Sequence, residues 1–262
     1  MSGTAPACIR LLRVARPSRA LGAMFGSGLR LPRRDADPLD LSQADLDIRP
    51  DGLAFTPTAT PASGWSSVAT FTVSQDPFWH ARSDGVLAPE LASAMLNWLE
   101  QIDAWKSNDG GFYAAGETAL SGRDCPAPLS PLLDEHGMKG LEDGAGRLFG
   151  TAVRRHGPVV AHRMTPGHGV GIHTDRPAPG EETHRVVVFL TRERALTTGG
   201  HFLLLEGPNP ENARAILPLR NNTGIGFVLS GNSYHAVTIV GEGVRFSLVL
   251  SFRAALSRSS GK

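Results

Sequence analysis

The chain has 262 residues, of which 41% are apolar, and its formal net charge is +1. This balance excludes the strongly basic surface that nucleic acid or an anionic membrane would need, and no apolar run is long enough for a transmembrane helix. Two cysteines exclude a disulfide framework and a four-cysteine zinc site, while 30 glycines and 19 prolines favour a fold rich in turns and strands.

Residues 1–60 are predicted to form a flexible N-terminal segment, since they are rich in Arg, Pro, Asp and Thr. Their first half carries several arginines and no acid, which occurs in organelle transit peptides, but a disordered tail or an upstream start codon is the preferred interpretation. Because no secretory signal is evident, we expect a cytoplasmic protein, with organelle targeting as the alternative. The remainder, 61–262, is predicted to be a single domain.

The first part of that domain is predicted to be largely helical. A strand over 67–74 precedes an amphipathic helix over 89–106, whose apolar residues recur at helical spacing behind a proline suited to a first turn. A second helix is predicted over 139–154. Between them, 107–130 is rich in Gly, Asn, Pro and Ser, which predicts a long loop that is either functional or mobile.

From residue 158 to about 253 the pattern changes to short apolar runs separated by Gly, Pro, Asn or Thr. Evenly spaced short strands are typical of a sandwich or barrel, and their order fits a double-stranded β-helix, the jelly-roll or cupin-like fold. The sequence therefore predicts an α+β protein in which N-terminal helices pack on a jelly-roll core.

Two potential metal ligands, His173 and Asp175, lie two residues apart in the sequence GVGIHTDRP. On an extended chain, His173 and Asp175 point to the same face. Two histidines and one carboxylate leave coordination positions open, and this set favours Fe(II) oxygen chemistry. The third ligand must come from a distant strand, and His235 is the best candidate because it follows a Gly-Asn turn and begins an apolar strand. His184 and His201 also begin strands, but nothing after them resembles a cosubstrate site.

A basic residue follows the third candidate ligand. Arg245 lies ten positions after His235, at the start of the next strand-like run. A buried guanidinium binds a carboxylate through two parallel charge-assisted bonds, and Ser247 can add a hydroxyl donor on the same face. The alternative is an exposed arginine at a strand end.

These features make residues 158–253 resemble the prolyl-hydroxylase-type branch of the Fe(II)/2-oxoglutarate-dependent dioxygenases. The matching text is RMTPGHGVGIHTD, HRVVVFLT, GGHFLLLEG and GIGFVLSGNSYHAVTIVGEGVRFSLVLSF. The resemblance implies His173, Asp175 and His235 as the catalytic iron ligands. It implies Arg245, assisted by Ser247, as the partner of 2-oxoglutarate. The implied cofactors are Fe(II), 2-oxoglutarate and O2, with room for stimulation by ascorbate.

The chain departs from the family pattern at Met164, where members often carry a tyrosine whose hydroxyl helps to bind the cosubstrate. Either Arg163 or Thr165 replaces that donor, or the cosubstrate pocket has a different shape. Asp175 agrees with hydroxylation, because related halogenases carry Gly or Ala at this place to make room for a halide.

The resemblance implies an oxidoreductase that hydroxylates an aliphatic carbon. The sequence does not distinguish a metabolite from a peptidyl side chain, and we expect a small molecule, such as an amino acid or a specialised metabolite. The alternatives are a peptidyl, prolyl-type hydroxylase and a non-catalytic jelly-roll binding or sensing module. A metal-dependent isomerase would not require the Arg245 and Ser247 pair. The substrate pocket is expected from 75–87, 107–130 and 176–183, where Arg176 is either an anion contact or a solvated loop residue.

Overall fold

The computed structural model describes residues 53–55, 65, 71–178, 180–192, 198–217 and 219–255. Most of the segment predicted to be flexible, 1–60, lies outside these residues, so that prediction and the single-domain boundary at residue 61 stay predictions. No helix among the described residues is long and apolar enough to cross a membrane.

Strands dominate the described chain, and helices interrupt them only before residue 150. The strands are β1 (Leu53–Phe55), β2 (Phe71–Ser74), β3 (His80–Ser83), β4 (Lys106–Gly110), β5 (Tyr113–Leu120), β6 (Val153–Arg155), β7 (Val159–Met164), β8 (Val170–His173), β9 (His184–Leu190), β10 (Phe202–Leu205), β11 (Ala213–Leu217), β12 (Thr223–Val228), β13 (Tyr234–Val237) and β14 (Arg245–Ala254). The α-helices are α1 (Pro89–Gln101), α2 (Ser130–Leu133) and α3 (Glu135–Phe149), and 3-10 turns cover Ala127–Leu129 and Pro210–Asn212.

The strands form one curled antiparallel sheet, in the order β1-β2-β3-β12-β9-β14-β7-β5-β8-β13-β10-β11. Its core is two four-stranded layers, β12-β9-β14-β7 and β8-β13-β10-β11, joined by β5, which pairs with both β7 and β8. From β7 to β14 consecutive strands alternate between the layers, except that β10 and β11 form a pair within one layer, and this order is that of a jelly roll. The predicted double-stranded β-helix over 158–253 is therefore confirmed.

Strand β9 shows how the sequence places two cores on opposite faces of one layer. Val186, Val188 and Leu190 pack with the helices, while Val187 and Phe189 pack inside the barrel. Successive side chains alternate between faces, so a strand buried on both faces reads as a continuous apolar run. The inward face of this layer forms one wall of the cavity described below.

Both predicted helices are present with shifted ends. Helix α1 buries Ala92, Met95, Leu96 and Leu99 and ends at Gln101, five residues before the predicted end. Helix α3 begins at Glu135 because Asp134 caps it, its carboxylate accepting a bond from the backbone N–H of Gly137 at 2.7 Å. It ends at Gly150, whose φ of 64° is the left-handed conformation that commonly closes a helix.

The prediction of a loop over 107–130 is wrong for its first half. Strands β4 and β5 form a hairpin there, turning at Gly111 with φ of 61°. Local composition disfavours strands in this segment, but β5 gains a backbone ladder with β7 from Gly116 to Leu120. Pairing with the barrel thus outweighs the low strand propensity of Gly, Asn and Asp. Of the strand predicted over 67–74, 71–74 is β2 and the rest lies outside the described residues.

Candidate metal centre

Three side chains from the predicted ligand set meet at one end of the barrel. His235 on β13 is paired directly opposite His173 on β8, so both imidazoles project from the same face. Asp175 follows the end of β8, and its Oδ2 lies 3.7 Å from His173 Nε2 and 3.3 Å from His235 Nε2. The ligand atoms all lie within 4.8 Å of one another, which suits a single metal ion.

Backbone carbonyls fix the orientation of both imidazoles. Nδ1 of His173 lies 2.9 Å from the Gly171 carbonyl oxygen, and Nδ1 of His235 lies 2.9 Å from that of Ser233. Because a carbonyl only accepts, Nδ1 carries the proton and Nε2 presents its lone pair toward Asp175. Burial lowers the pKa of His235, which keeps its ring neutral and able to bind a metal. The donor set, its spacing and its orientation fit a divalent transition metal.

Asp175 is held as a carboxylate by its neighbours. Burial acts to raise its pKa, but the guanidinium of Arg185, which bonds to the carboxylate, opposes this, and the pKa lies well below its usual range. Arg185 bonds to Asp175 and also, through Nη2, to Glu182 at 2.7 Å. Arg185 therefore fixes the position of the Asp175 carboxylate from the start of strand β9.

Arg245 is a buried cation that has no anionic partner among the described residues. It is only 2% exposed, and its Nη1 reaches only two neutral groups, Ser247 Oγ at 3.3 Å and Met164 Sδ at 3.4 Å. Its guanidinium lies 5.2 Å from the ring centroid of Phe189, and Nε has no hydrogen-bond partner. Burial lowers its pKa to about 10, which still leaves it charged at neutral pH. A buried, uncompensated charge is costly, so this site is suited to an anion.

One cavity contains both the triad and Arg245. Its volume is about 520 Å³, within the range of small-molecule sites. Valines and phenylalanines line the walls between the charged groups, which makes this part of the cavity largely apolar. The apolar lining residues are Val160, Val170, Val187, Phe202, Phe227, Val237 and Val249.

Tyr113 is a cavity residue that the sequence did not identify. Its hydroxyl donates to Glu117 Oε1 at 2.5 Å and lies 3.1 Å from Nδ1 of His162. The expected donors do not line the cavity: Arg163 points outward and stacks 5.3 Å over Trp105, and Thr165 is not in the wall. The only signal for Tyr113 was its rarity, as one of two tyrosines, in a segment interpreted as a loop.

The remaining sequence candidates are not brought to the metal centre. His184 packs against Phe149, 4.6 Å between ring centroids, and His201 lies outside the cavity lining, so neither joins the triad. Neither 75–87 nor 176–183 contributes a lining residue, and Arg176 is therefore not the cavity cation. Besides Arg245, the arginine that lines the cavity is Arg185 of β9, which is paired with Asp175 and Glu182. A charged residue at an inward position of β9 was the missed signal.

No protein-family model matches this sequence, and no curated protein matches it. Solved structures do. A prolyl-4-hydroxylase from Pseudomonas putida aligns at 16% identity over 67% of this chain and 92% of its own, with a TM-score of 0.52. A prolyl hydroxylase from Trichoplax adhaerens, in complex with a hypoxia-inducible-factor peptide, aligns at 13% identity over 70% of this chain and 87% of its own, with a TM-score of 0.50. These likenesses show that the chain has the prolyl-hydroxylase fold.

Proposed function

We propose that this protein is an Fe(II)- and 2-oxoglutarate-dependent dioxygenase that hydroxylates an aliphatic carbon of a small molecule. The observation that carries the proposal is the unpaired, buried Arg245 in the same cavity as the His173, Asp175 and His235 triad. An isomerase would need the metal but no buried cation beside it. A dicarboxylate cosubstrate needs both, because one end binds the metal and the other binds the guanidinium.

Within this proposal the triad holds Fe(II), which with O2 and 2-oxoglutarate supplies oxidising power as the cosubstrate becomes succinate and CO2. Arg245 and Ser247 bind the distal carboxylate and set the depth at which the cosubstrate lies. Arg185 keeps the Asp175 carboxylate oriented toward the two imidazoles. The apolar walls keep water away from the reacting atoms, which limits oxidation without substrate.

A peptidyl substrate is the second candidate. The hairpin of β4 and β5 leaves Asn108, Gly110 and Phe112 exposed at the cavity edge, which gives an extended chain access. The Trichoplax adhaerens protein of the same fold was solved with a peptide. Succinate release measured over parallel panels of metabolites and peptides separates the two substrate classes, and stimulation by peptides alone would overturn the small-molecule assignment.

The activity itself is tested by anaerobic spectroscopy. Fe(II) and 2-oxoglutarate together should give a weak visible charge-transfer band, and His173→Ala and Asp175→Ala should each abolish it. A band that survives either change would refute the metal assignment. A band without succinate release in any panel would instead favour the binding or sensing module.

The cosubstrate assignment is tested on Arg245→Ala. We expect the 2-oxoglutarate requirement to rise at least about 30-fold while Fe(II) binding persists, because removing one partner of a buried charge pair costs about 2–5 kcal/mol. Arg163→Ala, one residue from Met164 but on the outer face, is the matched control and should leave the requirement unchanged. An unchanged requirement in Arg245→Ala would refute the assignment.

A further inference from the structure

The cavity contains a carboxylate that serves neither the metal nor Arg245. Glu117 lies on β5, opposite His162 of β7, and its side chain is 32% exposed. It belongs to the cavity lining, where its neighbours along the wall are Asn108 and Tyr113. The outer edge of this wall is open, since Ala119, the next residue on the same face of β5, is exposed.

The described groups in contact with the Glu117 carboxylate are neutral. Its Oε1 accepts from the Tyr113 hydroxyl at 2.5 Å and from Asn108 Nδ2 at 3.4 Å, and no described residue donates to Oε2. His162 Nε2 lies 3.6 Å from Oε1, but burial lowers the pKa of this histidine to about 4, so it is neutral at pH 7. Lys106 is paired opposite Glu117 on β4, yet no lysine or arginine nitrogen among the described residues lies within 4.0 Å of the carboxylate.

Every other charged group lining the cavity has a partner once the cosubstrate is in place. Arg185 is shared by Asp175 and Glu182, and Arg245 has the distal carboxylate of 2-oxoglutarate. Fe(II) is balanced by the other end of the cosubstrate and by its own ligands. Glu117 is left as the single uncompensated charge, and partly buried charges of this kind favour a counter-ion.

We propose that Glu117 binds a cationic group of the primary substrate, an ammonium or a guanidinium, with Tyr113 and His162 lining the same subsite. Val160 and Val249 lie between this subsite and the metal end of the barrel, so they form an apolar floor for the carbon chain of the substrate. The proposal names the substrate class of the proposed oxygenase and so rests on that function. The cation could belong to a free metabolite or to a lysine or arginine side chain of a peptide.

The test is equilibrium binding to the anaerobic protein loaded with Fe(II) and 2-oxoglutarate, followed by NMR. Each cationic probe is matched with a neutral isostere: n-butylammonium with n-butanol, n-butylguanidinium with N-butylurea, and a Gly-Lys-Gly peptide with its Nε-acetyl form. We expect the cation of at least one pair to bind about tenfold more tightly than its isostere, the size expected of one charge-assisted bond. The pair that shows it separates the metabolite from the peptide.

Glu117→Gln keeps the shape and the bond from Tyr113 but removes the charge, so it should abolish the preference for cations, and Glu117→Asp should restore part of it. Lys106→Met is the control and should keep the preference, because Lys106 is not in the cavity wall. Cations that bind no better than their isosteres, or a preference that persists in Glu117→Gln, would overturn the proposal. The charge-transfer band separates the two failures: its absence from the wild type refutes the oxygenase, whereas its presence without cation preference refutes only the role of Glu117.

Discussion

The two walls of the cavity are built differently. The metal wall, defined by His173, Asp175 and His235, comes from two adjacent strands of one layer and is oriented by two backbone carbonyls. The sheet wall, defined by Tyr113, Glu117, His162, Arg245 and Ser247, is spread over β5, β7 and β14 of the other side. The residues of the metal wall can be recognised from short sequence motifs. The sheet wall forms only when three distant segments of the chain pair.

The metal wall thus provides the general chemistry, whereas the sheet wall determines which ligands bind. Metal ligands need fixed lone pairs within a few ångströms, and a turn with rigid backbone partners provides them. Recognition of a substrate needs charge and shape placed over a larger area, which a hairpin added to the barrel can supply. We therefore expect substitutions in the metal wall to affect every ligand, and those in the sheet wall to affect particular ligands.

The largest effect is expected from His235→Ala. Loss of a ligand should weaken Fe(II) binding by more than about 100-fold, since even outer hydrogen-bond partners of ligands typically contribute 10–100-fold. Metal titration of the purified protein measures it. His201→Ala removes a partly buried histidine outside the cavity lining and should bind Fe(II) as the wild type does. Near-normal Fe(II) binding by His235→Ala would contradict the assignment of metal binding to the metal wall.

The next effect concerns Arg185, which belongs to β9 but contacts the metal wall. Arg185→Ala should weaken Fe(II) binding by about 10- to 100-fold, because Asp175 loses the group that orients it. The same titration detects this change, and Arg185→Lys should be intermediate. Tighter binding would show instead that Arg185 competes with the metal for the carboxylate.

A smaller effect on stability is expected at the deep end of the sheet wall. Arg245→Met replaces an uncompensated buried cation by an apolar chain, so the ligand-free protein should gain about 1–2 kcal/mol, or roughly 2–8 °C in Tm. Thermal denaturation with and without 2-oxoglutarate measures both states. The cosubstrate should raise the Tm of the wild type and not that of the variant; a lower Tm for ligand-free Arg245→Met would show that the guanidinium is already compensated.

The smallest effect is a pH dependence from His162. Burial lowers its pKa to about 4, the charges of Arg245 and Arg185 act in the same direction, and Glu117 opposes them. The unfolded chain takes up a proton near pH 6.5 while the folded protein does not until about pH 4, so stability is present above pH 6.5 and is lost as the pH falls from 6.5 to 4. His162→Gln lacks this loss.

The quantity to measure is therefore the difference in Tm between the wild type and His162→Gln at each pH. The Tm of the wild type minus that of His162→Gln should decrease by a few degrees between pH 7 and pH 5.5, corresponding to about 1 kcal/mol. Subtracting the variant removes the contribution of other histidines. A difference that is constant with pH would show that His162 is already protonated or titrates normally.

The sequence located the metal wall because its information is local. His173 and Asp175 are two residues apart on an extended chain, and His235 begins a strand whose partner is the one that carries His173. Arg245 and Ser247 share a face of β14 for the same reason of alternation. The jelly-roll layers followed from the order of apolar runs after residue 158.

The rest of the sheet wall could not be found in this way. Tyr113 and Glu117 lie in a Gly- and Asn-rich segment that becomes a strand only by pairing with β7. Arg185 lies beside Asp175 only because the barrel closes, and the sequence between these two residues does not predict their contact. Arg163 and Thr165 were near the right place in the chain but pointed away from the cavity.

Strand β14 buries Phe246, Leu248, Leu250 and Phe252 toward the helices, whereas its cavity face begins with Arg245 and Ser247, so the alternation of its side chains fixes its register against β7 and β9. A slip of one residue would exchange the two faces: the large apolar side chains would enter the cavity, and Arg245 would turn into the helix-packed layer. The guanidinium would then be charged among Leu and Phe side chains with no space for an anion. Arg245, which is proposed to bind the cosubstrate, therefore also helps to fix the register of β14. A one-residue insertion before Arg245 should cause the barrel to misfold and not only abolish its activity.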